Sequence, residues 1–171
     1  LIAHLLRRAG FSARREELEA YAAKGYEAVV EELLNPEGSP DVDMDLVERY
    51  NHGRPGQGHW MYRMVNTRRP LAEKMALFWH HVFATGNSKV EGPYQMLNQV
   101  ELFRERGLGN FRDLLIEVAK NPAMLYWLDN HENHKRAPNE NWGRELLELF
   151  SMGVGNYTEE DVYEGSRAFT G

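Results

Sequence analysis

Residues 65–128, VNTRRPLAEKMALFWHHVFATGNSKVEGPYQMLNQVELFRERGLGNFRDLLIEVAKNPAMLYWL, constrain the fold more than any other stretch, because helix start and stop signals recur along them. Pro70 suits the first position of a helix, where its missing N–H costs nothing and its fixed φ is already helical. The spacing predicts a helix from there to about Ala84, a loop over TGNSKVEG, and a second helix from Pro93 to about Arg106. Gly107 and Gly109 end that helix, Asn110 caps another over Phe111 to Lys120, and a short one follows over Pro122 to Leu128.

The rest of the chain repeats the pattern. LIAHLLRRAGF reads as helix, Ser12 can cap a helix over Ala13 to Ala23, and Lys24-Gly25 breaks it before a second one over Tyr26 to Leu34. Between residues 36 and 58 the composition turns to Gly, Pro and Asp, an excursion holding one modest helical stretch near Asp43 to Tyr50. Asn139 can cap Glu140 to Met152, and Thr158 with Asp161 makes a capping box in which Asp replaces the usual Glu. Alternating runs rich in β-branched residues are missing. The expected fold is all-α: one multi-helix domain over residues 1–171, of about seven to nine helices, with a Gly/Pro-rich excursion near 36–58.

At 171 residues the chain can bury a core without staples, and having no cysteine it excludes disulfides, thiolate catalysis and Cys-type zinc sites. It opens inside a helix without an initiator Met and stops at RAFTG, so it is expected to be a piece of a longer chain. A net charge of −6 with mixed signs argues against sequence-independent nucleic-acid binding, which needs concentrated Lys and Arg. There is no run of eighteen apolar residues, so no membrane span is expected in this segment.

Two helices carry chemistry. Over Glu140 to Met152 the wheel places Trp142, Leu146, Leu147, Leu149 and Phe150 on one face, and Asn141, Arg144, Glu145 and Glu148 on the other. The simpler account of the polar stripe is a solvated face; the functional one is the wall of a cleft. Leu71 to Ala84 is apolar almost all round, which predicts a buried helix and hence an imidazole at His80 with a hydrogen-bond partner from another helix. Several motifs fail. DVDMD imitates the start of a calcium loop, but its sixth position is Leu46 and its twelfth His52. His131 and His134 are spaced as ligands but lack a third, so neither a metal nor a cofactor is expected.

The blocks LLRRAGF, KMALFWHHVFAT, QVELFRERGLGNFRDLL, NPAMLYWLDN, APNENWGRELLELFSMGVGNYTEEDV and RAFTG, in that order, resemble the N-terminal part of the bacterial domain-of-unknown-function family numbered 1800. The resemblance implies a mostly helical protein. It implies export from the cytoplasm and a partner protein that is sulfatase-like or phosphatase-like. The family's polar motif positions fall on Trp79, His80, Asp129, Asn130, Asn133, Asn139, Glu140, Asn141, Arg144, Glu145 and Glu148. Where the family often has a second histidine two places after the first, this chain has Val82.

Asn130, Asn133 and Asn139 suit a compact loop, whereas Asp129, Glu145, Glu148 and Arg144 exceed what a turn and a cap require. Three functions fit. In the first, His80 is a general acid or base oriented by Asp129 or Glu145, in a polar cleft that binds or hydrolyses a small or extracellular substrate; the network around it is Asn130, Asn133, Asn139, Glu140, Asn141, Arg144 and Glu148. In the second, the chain is a non-catalytic interaction or scaffold module using Trp60, Tyr62, Tyr94 and the excursion. The third, a carboxylate and histidine metal site, lacks the paired Glu-x-x-His motifs of di-iron bundles. Arg144 is expected to pair with a carboxylate of the signature block, Asp129 first among them.

Overall fold

The structure, a computed structural model, describes residues 1–36, 38–50 and 56–170. Eleven α-helices are present among them: α1 (Ile2–Ala9), α2 (Arg15–Lys24), α3 (Tyr26–Leu34), α4 (Asp45–Tyr50), α5 (Gln57–Asn66), α6 (Pro70–Val82), α7 (Pro93–Arg106), α8 (Phe111–Lys120), α9 (Pro122–Trp127), α10 (Asn141–Glu148) and α11 (Glu159–Ala168). A 3-10 turn covers Asn130–Glu132, and one isolated bridge joins His134 to Ala137. With no strand among the described residues, the fold is all-α.

The local signals act where they were expected. Pro70 and Pro93 open α6 and α7. Asn110 Oδ1 accepts the N–H of Arg112 at 2.9 Å, and Thr158 and Asp161 exchange side-chain and backbone bonds in a capping box at the start of α11. The α2 start differs. Arg14, not Ser12, stands at the N-cap; the helix begins at Arg15, where Glu17 reaches back to accept the Arg14 N–H at 2.7 Å.

Two apolar clusters meet along α6. Leu6 and Ala9 of α1 and Val29 and Leu33 of α3 pack with Leu71, while Ala76 and Phe83 join Val100, Phe103, Leu114, Val118, Met124, Trp142 and Phe150 in the larger core. Burying such side chains stabilises by roughly 1.5–3 kcal/mol each, which is why short helices that would melt alone persist here.

Three expectations need correction. The helix α5 falls where no helix was expected, between the excursion and Pro70. Its buried side chain is Arg63, so the apolar periodicity that betrays a packed helix is masked by a charge at an inward position. Helix α6 is not buried all round: Glu73 and Ala76 face inward, while Leu77 and Phe78 stand 38% and 50% exposed. Helix α10 stops at Glu148 instead of Met152, and the chain turns, leaving Leu149 in solvent and Phe150 in the core.

Candidate functional site

The signature segment leaves α9 through Asp129, the single non-glycine residue with positive φ (56°) among the described residues. A short polar side chain tolerates this left-handed backbone better than a branched one. The loop is then organised by one buried amide. Asn133 Nδ2 donates to Ser166 O of α11 at 2.9 Å and to Asn130 Oδ1 at 3.1 Å, and its Oδ1 accepts the Asn139 N–H at 2.9 Å. Asn139 Oδ1 in turn accepts the Asn141 N–H at 3.0 Å, starting α10. These asparagines tie α9, α10 and α11 together, each polar group answered by another.

The charges are arranged differently from expectation. Asp129 Oδ2 accepts from Lys89 Nζ at 2.7 Å and from Asn141 Nδ2 at 3.4 Å, while Lys89 also donates to Trp127 O at 2.8 Å. Arg144 does pair with a carboxylate of the signature block, as expected, but that carboxylate is Glu140 and not Asp129. The arginine forks onto Glu159 of α11, at 3.0 and 2.7 Å, and reaches Glu140 at 3.1 Å. Its guanidinium is pushed further up by the bonded Glu159 carboxylate. The cause is the close approach of α10 and α11 at Gly143, where an added Cβ would overlap Ser166 Oγ. That crossing brings Glu159 to Arg144, and the loop before α7 supplies Lys89 to Asp129 instead.

Glu148 accepts the Tyr157 hydroxyl proton at 2.6 Å. The Glu145 carboxylate has no hydrogen bond or ion pair among the described residues, and burial first, then the neighbouring Glu148, raises it above the usual range. Asn141, Glu145 and Glu148 follow one another at spacings of four and three. They therefore line one face of α10, with Asp129 joined to its upper end through Asn141.

His80 stands elsewhere. Its ring meets Trp60 edge-on at 5.4 Å between centroids, and its other polar neighbour is the Gln99 side chain of α7. It is half-buried, and its Nδ1 is buried without a hydrogen-bond partner among the described residues. Burial lowers its basicity, partly countered by Gln99. No hydrogen bond, ion pair or charge coupling links it to Asp129 or Glu145 among the described residues. His81 is exposed, and no group of three or more His, Asp or Glu side chains is placed to hold a metal among those residues.

From the sequence no role was assigned to Glu73, a heavily bonded buried charge among the described residues. Glu73, 1% exposed, accepts from Arg104 Nε at 2.6 Å, Arg104 NH2 at 3.2 Å, Arg63 Nε at 3.3 Å and Trp60 Nε1 at 3.1 Å. Arg63 also bonds Asp41 of the excursion, and Arg104 bonds Glu101. Four donors on one carboxylate fix α5, α6 and α7 to one another. A lone acid on an otherwise apolar wheel was the available signal, since a buried carboxylate requires a buried cation. Trp60 is thus partly buried against the core rather than an exposed aromatic, and Tyr62 is half-buried; of the three aromatics expected in solvent, Tyr94 is the exposed one.

Among the described residues, no helix is long and apolar enough to cross a membrane. No curated protein and no solved structure matches the chain. The family model described as "Protein of unknown function (DUF1800)" matches residues 4–171, and the chain belongs to that family.

Proposed function

We propose that this chain is a non-catalytic helical interaction module whose contact surface is an aromatic patch at the end of α6. The observation that carries it is continuous ring contact from core to surface. Buried Phe83 lies 5.7 Å from Trp79; Trp79 lies 5.0 Å from Phe78 and 5.7 Å from Phe111, whose side chains are 50% and 43% exposed. Trp79 Nε1 donates to Gly107 O at 2.7 Å, and Leu108 beside it is 47% exposed. Rigid aromatics held by a core and presented to solvent lose little entropy on binding, which is what interface anchors require. Meanwhile the asparagines of the signature loop spend their bonds inside the protein.

The occupant proposed is the sulfatase-like or phosphatase-like protein that the sequence resemblance implies, met outside the cytoplasm. The test is coexpression with that protein and measurement of the complex by size exclusion and calorimetry, for the native chain and for Phe78→Asp and Leu108→Asp. Both substitutions are at exposed positions, so helicity should be unchanged and affinity should fall at least tenfold, or about 1.4 kcal/mol. A complex indifferent to both variants, or no complex at all, defeats the proposal.

A second function rests on Glu145. A carboxylate without a hydrogen bond or ion pair among the described residues, raised by burial and by the neighbouring Glu148, suits proton transfer to a small substrate on that face of α10. In this form His80 contributes nothing. A panel of ester and glycoside substrates turned over by the native chain, and spared by neither Glu145→Gln nor Asp129→Asn, would favour it over the module.

A further inference from the structure

The contact of α5 with α6 and α7 holds two imidazoles that neither proposed function uses. His59 is on α5 and His80 on α6, one beside Trp60 in sequence and the other against its ring. In both, Nδ1 is buried and has no hydrogen-bond partner among the described residues. A neutral imidazole tolerates this at modest cost, since one ring nitrogen need not donate. An imidazolium does not, because both nitrogens must then donate, and a charged N–H would be left buried and unanswered.

The surroundings sharpen the difference. Facing His59 are Arg63 of its own helix and Arg104 of α7, both repelling a proton, with Glu101 of α7 and Glu48 of α4 opposing them. Facing His80 are Trp60 of α5 and the Gln99 side chain of α7; no charged group couples to it among the described residues. The two arginines are themselves held against Glu73, so they cannot swing away without breaking the buried ion cluster.

We propose that this contact is an acid-sensitive latch, in which protonation of His59 and His80 releases α5 from α6 and α7. Opening gives both ring nitrogens access to water, and it lifts Trp60 and Arg63 off Glu73. Burial lowers both histidines from their ordinary value of 6.5, with the arginines adding to the effect at His59 and the Gln99 side chain opposing part of it at His80. A lowered folded-state value means that the open form binds more protons. The latch therefore has full strength above pH 6.5 or so and weakens as pH falls from there through the closed-state values.

The test is hydrogen exchange on the intact chain at pH 7.5 and 5.5, corrected for the intrinsic pH dependence of exchange, with α8 as the internal reference. Protection of the α5 amides should fall roughly tenfold or more relative to α8, since each unit of pKa difference allows up to a tenfold change. The variant carrying His59→Gln and His80→Gln should lose that pH dependence. Equal changes in α5 and α8, or a double variant that keeps the native response, would overturn the latch. Should the double variant fail to fold, NMR titration of the two ring C–H signals in the native chain decides: values at or above that of an ordinary histidine overturn it, and values below support it.

Discussion

Glu73 Oε1 accepts the Arg104 Nε–H at 2.6 Å although the two residues are 31 apart in sequence, and both side chains are withdrawn from water. Removing one partner from such a cluster strands the others, which costs far more than the pair itself contributes. Glu73→Ala is expected to destabilise the protein by about 3–5 kcal/mol in urea denaturation, leaving Arg63 and Arg104 without their shared acceptor. An effect under about 1 kcal/mol, the size of a surface pair, would mean that water enters and solvates this cluster.

Gly143 is needed where α10 crosses α11. A Cβ there would overlap Ser166 Oγ and lie 3.0 Å from both Ser166 N and Val162 O. Gly143→Ala should cost about 1–3 kcal/mol, as overpacking does, seen as a lowered thermal midpoint. Adding Ser166→Ala should recover only part of the loss, because the backbone atoms of α11 remain in the way.

At Asp129 the left-handed backbone and the Lys89 pair can be separated by substitution. Asn accepts this conformation readily, so Asp129→Asn tests the half-exposed ion pair alone and should change stability by about 0–1 kcal/mol. Asp129→Ala adds the backbone penalty, about 1–2 kcal/mol more. Equal effects in chemical denaturation would show that the turn carries no strain.

The raised Glu145 carboxyl makes a signed prediction. Its folded-state value lies above the ordinary 4.5, so its contribution to stability is fully present below that pH and is lost as pH rises through the folded value. Glu145→Gln cannot ionise. The variant should melt at or above the native temperature at pH 7, with the gain shrinking as pH falls through the folded value and gone below about pH 4.5. A variant that melts lower at pH 7 and equally at low pH would assign Glu145 a stabilising charge instead.

What the sequence determined by itself is local. Pro70, Pro93, the Asn110 cap and the Thr158 to Asp161 box act over three or four residues, so their bonds follow from the order of amino acids wherever the helix ends up. The all-α fold and the order of most helices followed from them, as did the compact asparagine loop. Tertiary structure alone decided which charges meet. Arg144 turned to Glu159 and not Asp129 because α10 and α11 cross at Gly143, and His80 was set against Trp60 and Gln99, with no link to Asp129 or Glu145 among the described residues. Helix α5 was hidden for the same reason. Its inward residue is an arginine, which looks like a surface residue until a glutamate ten residues away is buried against it. A side chain's periodicity shows which way it points along its own helix, but the partner it finds depends on how separate helices pack, and no short stretch of sequence encodes that.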